Sequence, residues 1–174
     1  CIAAHKEAGI PRLVMSWAPG LNSVAEFKVM AAYLDEIGRR CNEAGIRFGY
    51  HNHNQEFKRI DGTTMIDHFM ENTCPENVFF EMDVYWAVVG GASPVEYMKK
   101  YPGRFEVIHI KDKNELGQSG MVGFDAIFNN FAKAGVQAFV VELEQASTPN
   151  ILKGLRESAL YIRQSSFVKD TYAK

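Results

Sequence analysis

Five short apolar runs alternate with helix-like stretches along this chain, and the alternation limits its fold more than any other feature. The runs are almost continuously apolar, which is typical of strands that are covered on both faces of a parallel sheet. Four of the five runs end in an imidazole, carboxylate or ammonium group, so polar side chains are expected along one edge of the sheet. We predict strands over residues 12–17, 47–53, 78–83, 105–111 and 138–144.

Apolar residues at three- and four-residue spacing predict helices between the strands. Asn22 or Ser23 can cap the longest helix and Gly45 can end it. Ser93 followed by Pro94 suits the first turn of a later helix. The predicted helices cover residues 3–8, 23–44, 65–70, 95–101, 124–134 and 149–165, and a loop is expected at 90–91.

One helix followed by five strand–helix units predicts part of a barrel. Units of about 30 residues match the last five of an eight-unit (β/α)8 TIM barrel, which needs about 250 residues. A five-stranded doubly wound sheet is the alternative, and it is disfavoured because no glycine-rich phosphate-binding turn follows the first strand. We therefore assign residues 1–174 to the C-terminal portion of a single barrel domain. Because the chain opens inside a helix, we expect an N-terminal part to precede it, and the localisation stays open.

Composition argues against several classes of partner. The net charge is −2 and the pI about 6.2, so we expect no nucleic-acid partner and no anionic membrane surface. No apolar run reaches the roughly 18 residues of a membrane-spanning helix. The three cysteines are scattered without CxxC spacing, which fits neither a disulfide framework nor a structural zinc site. Assembly into a homo-oligomer is left open by the sequence.

Two histidines end the second strand. His51 and His53 are two residues apart, so they point to the same side of an extended chain. One of them could bind a metal while the other binds substrate or carries a proton. Asn54 and Glu56 follow and could bind a hydroxyl-rich ligand, although Glu56 is equally well interpreted as a surface residue.

A carboxylate ends the third strand. Asp83 is a suitable hard ligand for a divalent ion, or else a cap for the backbone amides that follow. Tyr85 and Trp86 come next. Their rings could stack on the C–H faces of a sugar or pack against the rim of the barrel.

Opposite charges end the last two strands. His109 and Lys111 share one side of the fourth strand, which would place a metal-binding imidazole beside a cationic proton donor. Glu142 and Glu144 have the same spacing on the fifth strand. A glutamate in an apolar strand needs a cation. We therefore predict that Glu142 binds the metal and acts as a base, or else forms a buried ion pair with Lys111 or an arginine, and that Glu144 lies at the rim.

These side chains offer nitrogen and oxygen ligands without thiolates. Such a set favours one catalytic divalent ion, Mn²⁺, Mg²⁺, Co²⁺ or Zn²⁺, over a structural zinc. An ion that binds a carbonyl and an adjacent hydroxyl acidifies the neighbouring C–H, and a nearby carboxylate or imidazole can then move the proton. Aldose–ketose isomerisation, ketose epimerisation and dehydration beside a keto group all use this chemistry. The predicted substrate is therefore a small sugar or keto-sugar.

Four sequence strings together resemble the xylose-isomerase-like TIM-barrel superfamily. They are GYHNH, the Asp-x-x-Trp-x₃-Gly-Gly-x-Ser-Pro stretch, RFEVIHIKD and AFVVELEQ, and the resemblance covers about residues 5–165. That group includes sugar phosphate isomerases/epimerases, ketose 3-epimerases and inosose dehydratases. The resemblance implies one metal ion held at successive strand ends by His51, Asp83, His109 and Glu142.

Two positions depart from the pattern of that superfamily. His51 stands where ketose epimerases carry a glutamate, which argues against a symmetrical two-carboxylate mechanism and makes the chain more similar to the inosose dehydratase branch. Trp86 stands where many members have a histidine, so it would stack on the substrate rather than bind metal. The nuclease branch of the fold needs further histidine ligands that the stretch after Lys111 lacks.

Our first hypothesis is a divalent-metal sugar isomerase or epimerase. Glu142, with His51 or His53, would exchange the proton beside the carbonyl, and Lys111 would stabilise the enediolate. A keto-sugar or keto-inositol dehydratase or lyase with the same ion is the alternative. A sugar-binding barrel with a degenerate site is the third hypothesis. The residues predicted to bind the substrate are Trp86, Tyr85, Asn54 and Glu144.

Overall fold

The computed structural model describes residues 1–169, and it contains a strand in each of the five apolar runs with helices between them. A single turn of 3-10 helix over Gln55–Phe57 follows the second run. In chain order the other elements are α1 (Ile2–Glu7), β1 (Arg12–Met15), α2 (Val24–Glu43), β2 (Arg47–His51), β3 (Arg59–Ile60), β4 (Thr63–Thr64), α3 (Met65–Asn72), β5 (Val78–Asp83), α4 (Val84–Val89), α5 (Pro94–Lys100), β6 (Val107–Lys111), α6 (Phe124–Asn129), α7 (Phe131–Ala134), β7 (Ala138–Glu142) and α8 (Ile151–Gln164). Within residues 1–169, no helix is both long enough and apolar enough to cross a membrane.

The five long strands belong to one sheet, and their order in the sheet is their order in the chain, β1-β2-β5-β6-β7. β1 pairs with β2, β2 with β5 and β6 with β7, and all three pairings are parallel. A doubly wound sheet reverses its strand order at a switch point. The described strands show no such reversal, so their order favours the barrel over the doubly wound alternative.

Residues 1–81 form the first of two compact units. Helix α2 begins after Ser23, whose hydroxyl accepts a hydrogen bond from the amide of Glu26. Gly45, at φ +78°, turns the chain from the end of α2 towards β2, as its position in the sequence predicts. Helix α2 packs on α3 and β2. The core of this unit consists of fully buried apolar side chains, which include Phe27, Leu34, Phe48, Tyr50, Ile66 and Phe69.

The second unit begins at Met82. Helix α4 starts without an intervening loop, because the Asp83 carboxylate accepts a hydrogen bond of 2.8 Å from the amide of Trp86 and caps the helix. Helix α5 begins after Ser93 with Pro94 in its first turn, as predicted. The core of this unit contains the buried phenylalanines Phe105, Phe124, Phe128 and Phe131 among aliphatic side chains.

Several predicted boundaries are wrong. Strands β1, β2 and β7 end two residues earlier than predicted, and β6 starts two residues later. The helix predicted over 124–134 is divided at Asn130 into α6 and α7. The sequence did not predict α4, because its six residues are too few to show a helical period, nor the two-residue strands β3 and β4. These errors arise because short-range caps and turns, rather than hydrophobic periodicity, decide where short elements begin and end.

Candidate active site

In the first unit, the last residue of β2 is a buried histidine with a carboxylate partner. His51 and Glu81 are opposite each other in the parallel register of β2 and β5. His51 Nδ1 lies 3.1 Å from Glu81 Oε1, and the side chains of the two residues are only 7% and 14% exposed. The contact holds the imidazole plane in one orientation. Glu81 was not predicted as a site residue, although it shares strand parity with Asp83.

His53 lies just beyond the end of β2 and is half-buried. Its ring centroid is 5.0 Å from that of His51, with the rings nearly perpendicular, so the two-residue spacing did bring the imidazoles together as predicted. The edge of the Trp17 ring, two residues beyond β1, makes a similar contact with His53 at 5.7 Å. Trp17 was not predicted as a site residue. The residue is 58% exposed, and the sequence signal that could have identified it is a large aromatic residue at the end of an apolar run.

Glu56 is completely buried, which contradicts its interpretation as a surface residue. Its carboxylate accepts hydrogen bonds of 2.8 Å from the Tyr50 hydroxyl and from the backbone amide of His53. Burial, together with the nearby carboxylate of Glu56, raises the pKa of Tyr50 well above its ordinary value. Glu56 therefore supports the turn that carries His53. Asn54, by contrast, is exposed and begins the 3-10 turn.

In the second unit, Asp83 is the last residue of β5, and His109 lies within β6. Asp83 is fully buried, with Oδ1 capping α4 and Oδ2 also shielded from solvent. Asp83 and His109 offer a carboxylate oxygen and an imidazole nitrogen within 4.8 Å of each other. A carboxylate oxygen and an imidazole nitrogen are donors that a catalytic divalent ion would accept. This donor pair therefore fits a divalent metal.

Lys111 is buried, with only 1% of its surface exposed, yet it carries a charge. Its ammonium lies 2.9 Å from Glu142 Oε2 and 2.7 Å from Glu144 Oε1. Burial opposes the charge, but the hydrogen bonds to Glu144 and Glu142 outweigh it, and the pKa of Lys111 is raised above its ordinary value. The ammonium also lies over the ring of Trp86, 5.5 Å from its centroid. Lys111 is therefore a permanent cation at neutral pH.

Glu142 lies between two positively charged or ionisable neighbours. The same oxygen that binds Lys111 is 3.6 Å from His109 Nε2. The buried ion pair with Lys111, one of the two predicted alternatives, is thus present. The metal-binding role of Glu142 stays a prediction. Glu144 is more exposed than Glu142, 52% against 34% for their side chains, in agreement with its predicted place at the rim.

Tyr85 and Trp86 are both half-buried in the first turn of α4, with ring centroids 5.1 Å apart. The backbone of Trp86 is fixed by the Asp83 cap, and its ring contacts the Lys111 ammonium. The partly exposed surface of these rings is available for a ligand.

Two further carboxylates, Asp112 and Glu115, hold the loops after β6 and β7. Asp112 accepts hydrogen bonds from the amide of Gly117 and from Ser119. Glu115 is 1% exposed and accepts a hydrogen bond of 3.0 Å from the amide of Ser147. Charged residues within a glycine-rich stretch resemble ordinary solvated loop residues, so their burial could not be predicted from the sequence.

A parallel sheet whose strands follow chain order, with ionisable side chains at the carboxyl ends, defines the class of parallel β/α-barrel proteins. The sequence pattern that defines the xylose isomerase-like TIM barrel family matches residues 1–165 of this chain. The chain belongs to this family, and the predicted (β/α)8 fold class is confirmed.

Three similar proteins illustrate this relationship. A sugar phosphate isomerase/epimerase from Parabacteroides distasonis ATCC 8503 has a TM-score of 0.92 and 38% identity, covering 97% of this chain and 62% of its own. An inosose dehydratase from Bacillus cereus (strain AH820) is 29% identical over 144 aligned residues, and the match covers 69% of this chain and 48% of that protein. The IolI protein with a bound zinc atom shares the fold, with a TM-score of 0.73 at 15% identity over 99% of this chain and 68% of its own. The chain spans about half the length of the curated relatives that it matches.

Proposed function

We propose that the complete protein is a divalent-metal-dependent sugar isomerase or epimerase that moves a proton beside a carbonyl group through an enediolate. The observation that carries this proposal is the ion pair of Lys111 with Glu142, beside His109. Enolisation needs a base for the C–H proton and a positive charge for the oxygen that becomes negative. An ionised carboxylate next to a permanent ammonium supplies both.

We propose that His51, Asp83, His109 and Glu142 hold the ion. Each of the first three offers a ligand atom suited to it, and Glu142 is supported by its closeness to His109. When bound, the ion polarises the substrate carbonyl and acidifies the adjacent C–H. A mixed nitrogen and oxygen set accepts Mn²⁺, Mg²⁺, Co²⁺ or Zn²⁺, so the identity of the ion stays open.

The roles of the other groups follow from their charge. Glu142 takes the proton from carbon, and His53 returns a proton to the substrate because His51 is a proposed ligand of the ion. Lys111 stays protonated because its two carboxylate partners raise its pKa, so it stabilises the enediolate oxygen and does not act as a base.

The proposed substrate is a sugar or keto-sugar. Aromatic rings stack on the apolar C–H faces of sugars, and Tyr85 and Trp86 offer such rings beside Lys111. Asn54 and Glu144 are exposed polar side chains that could bind hydroxyl groups.

Dehydration of a keto-sugar or keto-inositol is the second candidate function. It is favoured by an imidazole, His51, at a position where a two-carboxylate epimerase needs a glutamate, and by the similarity to an inosose dehydratase. In that reaction the base removes the proton beside the carbonyl. The hydroxyl on the next carbon then takes up a proton and leaves as water.

Proton NMR in D₂O tests both candidates. The complete protein is loaded with Mn²⁺, exchanged to Mg²⁺ for the spectra, and incubated with ketoses, aldoses and keto-sugars. Deuterium beside the carbonyl of a rearranged sugar is the expected result for an isomerase or epimerase, whereas loss of water identifies a dehydratase. His109→Ala is the matched control and should abolish either reaction. No exchange with any compound, together with no bound metal by elemental analysis, would contradict both candidates.

A further inference from the structure

We propose that Glu81 is a positioning residue that keeps the proton of His51 on Nδ1 and so leaves Nε2 to bind the metal ion. The proposal rests on the proposed function, because it concerns a ligand of the proposed metal site. It adds a residue that acts through another side chain.

The geometry is specific to one nitrogen of the imidazole. Glu81 Oε1 lies 3.1 Å from His51 Nδ1, and the two residues face each other in the register of β2 and β5. A carboxylate oxygen can only accept a hydrogen bond, so a neutral His51 donates from Nδ1. Its remaining lone pair is then on Nε2. Carboxylates commonly orient metal-binding histidines in this way.

The strand parity of Glu81 supports the same role. Glu81 and Asp83 are two residues apart on β5, so both project from one face of the strand. The two carboxylates thus have different proposed roles: Asp83 is a metal ligand, and Glu81 orients His51. Low exposure of both side chains in the pair, 7% and 14%, protects their contact from competition by water.

The position of the proton can be measured directly. Long-range ¹⁵N–¹H NMR of the metal-free complete protein, labelled with ¹⁵N-histidine, distinguishes the two imidazole tautomers, and His51→Ala assigns the signals of His51. We expect the Nδ1–H tautomer in the wild type and in Glu81→Gln, whose amide oxygen can still accept. Glu81→Leu should shift His51 towards the Nε2–H tautomer, which predominates for an imidazole in water. A wild-type protein with His51 in the Nε2–H form would overturn the inference. This result does not require either Glu81 variant to fold.

Metal affinity gives the second readout, independent of turnover. In competition between the protein and a chromogenic chelator for Zn²⁺, Glu81→Leu should bind about 10–100-fold more weakly than the wild type, and Glu81→Gln within about threefold of it. Weaker binding by His51→Ala, with wild-type affinity and tautomer in Glu81→Leu, would overturn only the role of Glu81. Wild-type affinity in His51→Ala would overturn the proposed ligand set and this inference with it.

Discussion

The polar ends of the strands differ between the two units, although the same two-residue spacing recurs in both. In the first unit, His51 is matched with one carboxylate, Glu81, at a contact that fixes a ring orientation. In the second unit, Lys111 is matched with two carboxylates, Glu142 and Glu144, which stabilise its positive charge. The first arrangement suits a group that must present a lone pair or a proton. The second suits a fixed charge beside a base.

Two-residue spacing predicts which side chains lie close together, but the partner of each side chain determines its tautomer or its charge. A carboxylate beside an imidazole selects a tautomer. A pair of carboxylates beside a buried ammonium raises the pKa of the ammonium and keeps it protonated. Three variants test this contrast, and the first should have the greatest effect.

Glu142→Gln tests the base assigned to the second unit. The substitution keeps the shape of the side chain but removes its charge, so turnover should fall by about 10²–10⁴-fold, the usual range for a lost general base. Steady-state kinetics of the metal-loaded protein give the ratio. Glu144→Gln is the matched control. Because its side chain is 52% exposed, we expect less than about a tenfold change. Equal losses in both variants would mean that the two carboxylates act only as a joint counter-charge for Lys111.

Tyr50→Phe tests the rigid support beneath the first unit's histidines. It removes the hydroxyl that donates to the buried Glu56 carboxylate, which should lower the free energy of unfolding by about 1–3 kcal/mol. Denaturant unfolding measures the difference. Tyr33→Phe, on the exposed face of α2 with 57% exposure, should change it by no more than about 0.5 kcal/mol. Unchanged stability in Tyr50→Phe would show that Glu56 does not depend on this donor.

His68→Phe tests the acid sensitivity of the first unit. Burial first, and the charge of Lys28 second, lower the pKa of His68, against a smaller opposing effect of Glu71. Among residues 1–169, its buried Nε2 has no hydrogen-bond partner. As the pH falls below about 6.5, the histidine takes up a proton in the unfolded chain before it does so in the folded protein. The free energy of unfolding therefore decreases as the pH falls below that value. His68→Phe should lose less stability between pH 7 and pH 5 than the wild type in thermal unfolding. Parallel curves for the two proteins would contradict the lowered pKa.

The five strands could be predicted because buried parallel strands are nearly continuous in apolar residues, and the runs are too short to be buried helices. The contact of His51 with His53 followed from their two-residue spacing. The ion pair of Lys111 with Glu142 was one alternative, predicted because a glutamate in an apolar strand needs a cation. Helix α4 was not predicted and several strand ends were predicted wrongly, since a single cap such as Asp83 decides where a short element begins.

The sequence by itself determined the class of fold and the polar character of the strand ends, because local periodicity records which faces of each element are buried. Three features could be seen only in the tertiary structure. They are the burial of Glu56, the contact of His51 with Glu81, and the ion pairs of Lys111 with both Glu142 and Glu144. The contacts of His51 with Glu81 and of Lys111 with Glu142 join residues about 30 positions apart in the chain. Such contacts depend on strand register, and the charge of a side chain alone does not encode which neighbour the register will supply.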